Sequence, residues 1–280
     1  MSRRIWLCAD DYGISPGVNR AIRDLIENGR LNATSAMVLG PAIGRDEVSA
    51  LMAAAKANPR CAIGLHVTLT APFRPLTMHF RPTEGSLFLP HTKLLRRGLM
   101  GRLDSELVHT EVTVQLAAFV DLFGRPPDFV DGHQHVQLYP GVRTAFLAAV
   151  KTAAPAAWIR QCGRDRPRIQ SWVQRLDSPK ALFLDALSAQ FRRRAARTKL
   201  AFNPAFAGAY DFSKAAEFGS LMQQFLHGMP EAGVVMCHPG FVDDVLISLD
   251  PLTVQREREY EFLRGEQFLP LLAANEVTLG

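Results

Sequence analysis

The chain has 280 residues and a mass of 31.0 kDa; 48% of the residues are hydrophobic and 21% are charged. That balance excludes a disordered or fibrous chain, and the length suits one large α/β domain over 1–280 with a sizeable core. The net charge is only +5, and the one concentrated basic run, "FRRRAARTK" (191–199), has no interleaved aromatics for base stacking, so no nucleic-acid partner is expected.

"RIWLCA" (4–9) is a short apolar run suited to a buried parallel strand, and "DDYG" reads as the loop after it. Ser15 and Pro16 supply an N-cap and a first helical position. Val18, Ala21, Ile22, Leu25 and Ile26 then recur on one helical face, and Gly29 stands where such a helix ends. Strands at 34–39 and 61–69 flank a helix at 46–57. Residues 70–102, with prolines at 72, 75, 82 and 90, are predicted to be irregular. A segment of that length in a compact domain points to a lid or binding segment over the site.

A helix at 105–123 stops at Gly124; a strand at 128–131, a helix at 141–153 and a strand at 156–161 follow. The stretch 162–198 reads as arginine-rich and irregular, with one helix near 180–195. A strand at 200–206, a helix at 213–228, a strand at 233–238, a helix at 253–264 and a terminal "EVTLG" complete the chain. Strands alternating with helices imply a parallel α/β fold of (β/α) barrel type, TIM-like and closed or nearly closed.

Cys8, Cys61, Cys162 and Cys237 are widely separated with no CxxC pair, which points to a reducing compartment. The first residues hold about five apolar side chains before the aspartates, short of the roughly 7–15 of a secretory segment. No apolar run approaches the ~20 residues that cross a bilayer. A cytoplasmic protein without a membrane partner is expected.

The polar residues carry the functional signal. Asp10 and Asp11 follow the first strand, His66 lies in the third, and Asp131, His133 and His135 cluster in "VDGHQHVQ". Arg160 ends "AAWIR" and His238 ends "GVVMCH". Each has an ordinary structural reading alone: a turn cap, a core histidine, an ion-pair donor. Together they fall at the carboxyl ends of five strands, the face where barrels gather binding and catalytic groups. His79, His91, His109 and His227 have no neighbouring acids and read as ordinary loop or helix residues.

One carboxylate and two neutral imidazoles make a three-ligand set for a divalent ion, with positions open for water and substrate. Such an ion acidifies bound water and polarises a carbonyl. A second carboxylate can take the water's proton, and a histidine opposite can protonate the leaving group. Asp10 and His238 are suitably typed for those roles.

"ADDYGIS", "IGLHVTLT", "VDGHQHVQLYP", "WIRQ" and "CHPGF", in this order, resemble the YdjC-like, ChbG-type carbohydrate deacetylases over nearly the whole chain. The resemblance implies a barrel-type fold and one divalent metal ion, zinc or magnesium, held by Asp11, His66 and His133. It implies removal of an N-acetyl group from an acetylated amino sugar or chitobiose-like oligosaccharide. Asp10 maps to the base and His238 to the acid; Arg160 would orient a carboxylate or a sugar beside the site. His135 is then a neighbour, and Asp131 a partner fixing an imidazole. Gln137 stands where relatives often have a further histidine, which bears on the substrate. Hydrolysis of another bond, such as a phosphoester, and a non-catalytic sugar-binding or regulatory role are the alternatives. A saccharide is the expected small-molecule partner, and a homodimer is left open.

Overall fold

The computed structural model describes residues 2–164, 179–212 and 217–280. Its first half runs β1 (Arg3–Arg4), β2 (Trp6–Tyr12), α1 (Pro16–Glu27), β3 (Ala33–Ala36), α2 (Arg45–Ala57), β4 (Ala62–Val67), a hairpin of β5 (Thr83–Glu84) and β6 (Leu87–Phe88), α3 (His91–Leu99) and α4 (Ser105–Phe123). Then come β7 (Phe129–Gly132), a 3-10 segment His133–Leu138, α5 (Arg143–Ala153), β8 (Trp158–Ile159), α6 (Pro179–Thr198) and β9 (Phe206–Ala207). The chain closes with α7 (Phe218–Leu226), β10 (Val234–Cys237), α8 (Asp244–Leu249), α9 (Val254–Arg264), α10 (Phe268–Ala274) and β11 (Val277–Thr278).

Seven parallel strands form the main sheet in the order β8-β7-β4-β3-β2-β10-β9. Its two edges curl toward each other. The segment before and through β9 touches both, because Phe202 bridges Ile159 of β8 while Phe206 pairs with Val234 of β10. The predicted barrel-type fold is therefore observed. β1 and β11 form a separate parallel pair, so the terminal "EVTLG" does not join the main sheet.

Strands buried on both faces must be apolar throughout, and β2 shows why the first run folds as it does. Leu7, Cys8 and Ala9 are wholly buried, enclosed between the barrel interior and the outer helices. Helix α1 starts where expected: Ser15 Oγ accepts from the Val18 N–H at 3.2 Å and Pro16 occupies the first turn. Its inner stripe Val18, Ala21, Ile22, Leu25 and Ile26 is fully buried, each large aliphatic contributing roughly 1.5–3 kcal/mol. Helix α4 ends at Gly124 with φ 67°, a left-handed cap that costs glycine little.

Some expectations need correction. "DDYG" is not a loop, since β2 continues to Tyr12. The segment 70–102 is not irregular throughout: it holds the β5–β6 hairpin and α3. Its prolines all precede His91, so nothing breaks the helix that starts there. Phe73, Phe80, Phe88, Leu89 and Leu94 from this segment are buried, so it is packed as core rather than draped as a loose cover. Helices α8 and α10 were not anticipated. Of the stretch 162–198, residues 165–178 lie outside the described residues, as do 213–216 of the helix expected over 213–228. Among the described residues no helix is long and apolar enough to cross a membrane.

Candidate metal centre

Adjacent residues on a regular strand point to opposite faces, so Asp10 and Asp11 should not both reach one site. A bulge resolves this. From Ala9 to Tyr12, β2 advances three residues while its partner β3 advances two, from Thr34 to Ala36. Asp11 takes up the extra residue at φ 69°, a left-handed conformation that aspartate tolerates better than most side chains. Just beyond, Asn19 of α1 pins the turn, accepting from the Gly13 N–H at 2.6 Å and donating to Ala42 O at 2.8 Å. Gly13 has φ 100° and a Cβ there would stand 2.9 Å from Met37 O, so only glycine fits.

Three donor atoms converge. Asp11 Oδ1 lies 2.9 Å from His133 Nδ1 and 3.3 Å from His66 Nε2. The ligand-type atoms of these three residues lie within 4.8 Å of one another, and all three side chains are buried. His66 is held from behind, its Nδ1 2.6 Å from Asp131 Oδ1 and 3.0 Å from Ser35 Oγ. That fixes its Nε2 toward Asp11, as the outer carboxylate partner of a metal-bound imidazole does. In β4 and β7, His66 and Asp131 are register partners, which is why they meet. Burial works against a charged His66, but Asp131 and Asp10 outweigh it and push the imidazole up to about 10. The surroundings are built for positive charge, and one carboxylate with two imidazoles suits a divalent ion.

Asp10 has a different environment. Arg160 chelates it, Nη1 to Oδ2 at 2.6 Å and Nη2 to Oδ1 at 2.7 Å, while Nη2 also stands 2.6 Å from Asp131 Oδ2 and 2.9 Å from Cys8 Sγ. Cys8, Asp10 and Asp131 have the spacing of a second metal cluster. The guanidinium fills its centre, so the cluster is an arginine cradle. Burial raises the Asp10 pKa, but Arg160 wins and holds it well below the usual carboxylate range. Asp11 is likewise held low: burial opposes ionisation, while Arg256 and His133 favour it.

Two residues that the sequence did not single out complete the site. Arg256 of α9, wholly buried, donates from Nη2 to Asp11 Oδ2 at 2.7 Å and to Asp250 Oδ2 at 2.8 Å. Glu259, three residues on and also wholly buried, accepts from the His238 N–H and, at 2.6 Å, from the Tyr210 hydroxyl. Burial pushes Glu259 up to about 7, against those two hydrogen bonds and the Arg256 charge.

His238 follows β10 directly and is half-buried, with the Phe212 ring edge-on at 5.4 Å. Its surroundings desolvate it and pull it down to about 4, although Asp11 and Asp10 pull the other way. Its Nδ1 is buried without a hydrogen-bond partner. Arg160, 1% exposed, meets carboxylates of the protein. His135 is turned away: its Nδ1 is 3.4 Å from Cys162 Sγ and its ring meets Phe206. The left-handed conformations of Gln134 and His135 cause that turn. Gln137 is wholly buried and reaches Arg160 O and Cys162 Sγ, away from the three-donor cluster. From 70–102, Phe73 packs edge-on against His133 at 5.9 Å. Glu111 of α4 holds that segment, accepting from Leu76 N, Thr77 N and Thr77 Oγ at 2.6–3.0 Å.

A curled parallel α/β sheet with a buried Asp–His–His cluster at its carboxyl edge defines a barrel-type protein with a metal-capable centre. The chain belongs to the YdjC-like protein family, whose profile matches residues 4–274. It is 31% identical over 248 residues to a chitooligosaccharide deacetylase of Escherichia fergusonii, covering 88% of this chain and 85% of that one. It is 28% identical over 285 residues to a protein of the same name from Yersinia pestis, covering 100% of this chain and 98% of that one. A solved structure from Enterococcus faecalis, named for a proposed role in cellobiose-phosphate cleavage, matches with a TM-score of 0.75 at 20% identity. That match covers 100% of this chain and 97% of the other, and it shows the shared fold alone.

Proposed function

We propose that the chain is a metal-dependent hydrolase that removes the N-acetyl group from acetylated amino sugars of the chitooligosaccharide kind. The observation that carries this reading is the convergence of Asp11 Oδ1, His66 Nε2 and His133 Nδ1. The names of the family relatives supply the substrate class. Asp11, His66 and His133 would hold one divalent ion, and two imidazoles suit zinc better than magnesium, which prefers an all-oxygen octahedron. Such an ion polarises the acetyl carbonyl and acidifies water.

The remaining chemistry belongs to the chain. Asp10, kept ionised by Arg160, accepts the proton of the attacking water. An amide nitrogen leaves poorly, so it must be protonated before the C–N bond breaks. His238 is neutral at rest, so the proton it delivers to that nitrogen is the one Asp10 has taken from the attacking water and passed on. The sum balances: water adds OH to the acetyl carbon and H to the nitrogen, giving acetate and a free amine. The contact of Phe73 with His133 supports a part for segment 70–102 in substrate choice. The free cysteines support a cytoplasmic setting.

The test is acetate release from N-acetylated amino sugars and chitooligosaccharides by the zinc-loaded protein. One acetate per amine exposed is expected. Stoichiometric zinc binding with no acetate release, but phosphate release from sugar phosphates, would replace this reading by the phosphoester alternative.

A further inference from the structure

Resting on the metal-centre reading above, we propose that Arg256 is a positioning residue that restricts Asp11 to one coordinating oxygen. The two oxygens of Asp11 face different partners. Oδ1 points into the cluster with His133 and His66, whereas Oδ2 is taken by Arg256 Nη2 at 2.7 Å. The guanidinium is itself fixed, with Nε donating to Leu252 O at 3.0 Å and Nη2 to Asp250 Oδ2 at 2.8 Å.

A carboxylate free at both oxygens can grip a divalent ion with both and so occupy an extra coordination position. Asp11 cannot do this without displacing Arg256. Displacement would take a wholly buried cation off one of its two carboxylates and leave it on Asp250 alone. The position spared is the one that water and substrate need at a three-ligand catalytic centre. Arg256 thereby separates ligation from charge balance: Oδ1 serves the cluster and Oδ2 serves the guanidinium.

Infrared difference spectra of the full chain, with and without zinc, test this. A carboxylate bound through one oxygen shows a wide separation between its asymmetric and symmetric stretches, and one bound through both shows a narrow one. The unaltered chain is expected to give the wide pattern on binding one zinc. R256M is expected to lose it in favour of the narrow one, and R256K, which keeps a charge near Oδ2, to retain it in part. A narrow separation in the unaltered chain overturns the proposal, and that measurement depends on no variant folding. The same wide separation in folded R256M overturns it too. Zinc stoichiometry is read alongside: a chain that takes up no zinc defeats the metal reading itself, while one-to-one zinc with the wrong pattern defeats only the role of Arg256.

Discussion

Asp10 and Asp11 are neighbours in the chain and each is matched to a buried arginine, yet the two pairs are built differently. Arg160 takes both oxygens of Asp10 and reaches on to Asp131 and Cys8. Arg256 takes a single oxygen of Asp11 and leaves the other to two histidines. The first carboxylate is fixed in orientation and ionised at rest; the second keeps one oxygen for the histidine cluster. Two identical side chains thus receive different chemistry from their partners, and a one-residue bulge lets both face the same space.

The largest effect is expected on the Asp11 side. His133→Ala should abolish stoichiometric zinc, since it removes one of three donors. His135→Ala should leave most of the zinc bound, because that ring faces Cys162 and Phe206. Metal analysis after dialysis reads both. Zinc lost from the second variant and retained by the first would reverse the ligand assignment.

On the Asp10 side the loss should be of rate, not of metal. Asp10→Asn and His238→Ala are each expected to cut kcat by about 10²–10⁴ while the protein folds and binds zinc. Arg160→Met should instead destabilise the fold by roughly 3–5 kcal/mol, because Asp10 would lose its buried cation and Asp131 would keep only His66. Denaturant melts separate the two kinds of damage. Near-normal deacetylation by His238→Ala would remove it from the acid role.

The asymmetry also shows in what the sequence discloses. Asp10, Asp11, His66 and His133 were legible because each interrupts or ends an apolar run that must be a buried strand. Arg256 and Glu259 were not. They sit in "VQREREYEFLR", whose alternating charges read as a solvated helix face. The available signal was spacing: Arg256, Glu259 and Leu263 recur at helical intervals and form the buried stripe, so charged residues occupy positions where apolar ones belong. The bulge was hidden for another reason. It depends on how β2 registers against β3, which no local pattern encodes. Likewise α3 carries few apolar residues, and it packs against the distant 3-10 segment His133–Leu138, a contact no local pattern encodes.

Glu259 extends the comparison to α9 and gives a pH signature. Its folded carboxyl sits at about 7, above its ordinary value, so the folded state holds the proton more tightly than the unfolded chain. The stabilisation is full below the ordinary carboxylate range and is lost as pH rises through about 7. At about 1.36 kcal/mol per unit of pKa, the unaltered chain should lose roughly 3 kcal/mol of stability between pH 4.5 and pH 8 from this group. Glu259→Gln keeps an acceptor for the His238 N–H and removes the titration. Denaturant unfolding at both pH values should show the decline in the unaltered chain and a flatter profile in the variant. Equal slopes would mean that Glu259 is ionised throughout.

The smallest effect is expected at Ser35, a hydroxyl that joins the two halves. Ser35, wholly buried in β3, donates from Oγ to Asp10 Oδ1 at 3.2 Å and lies 3.0 Å from His66 Nδ1. Both partners have stronger contacts elsewhere, Asp10 with Arg160 at 2.6 Å and His66 with Asp131 at 2.6 Å. Removing the hydroxyl therefore strands no charge, and Ser35→Ala should cost only about 1 kcal/mol, the net worth of one hydrogen bond. Zinc stoichiometry should hold and kcat should fall less than tenfold, because neither carboxylate loses its arginine. A loss as large as that of Arg160→Met would show that the Asp10 and Asp11 halves depend on each other through Ser35, and that their separate arginines do not suffice to set them.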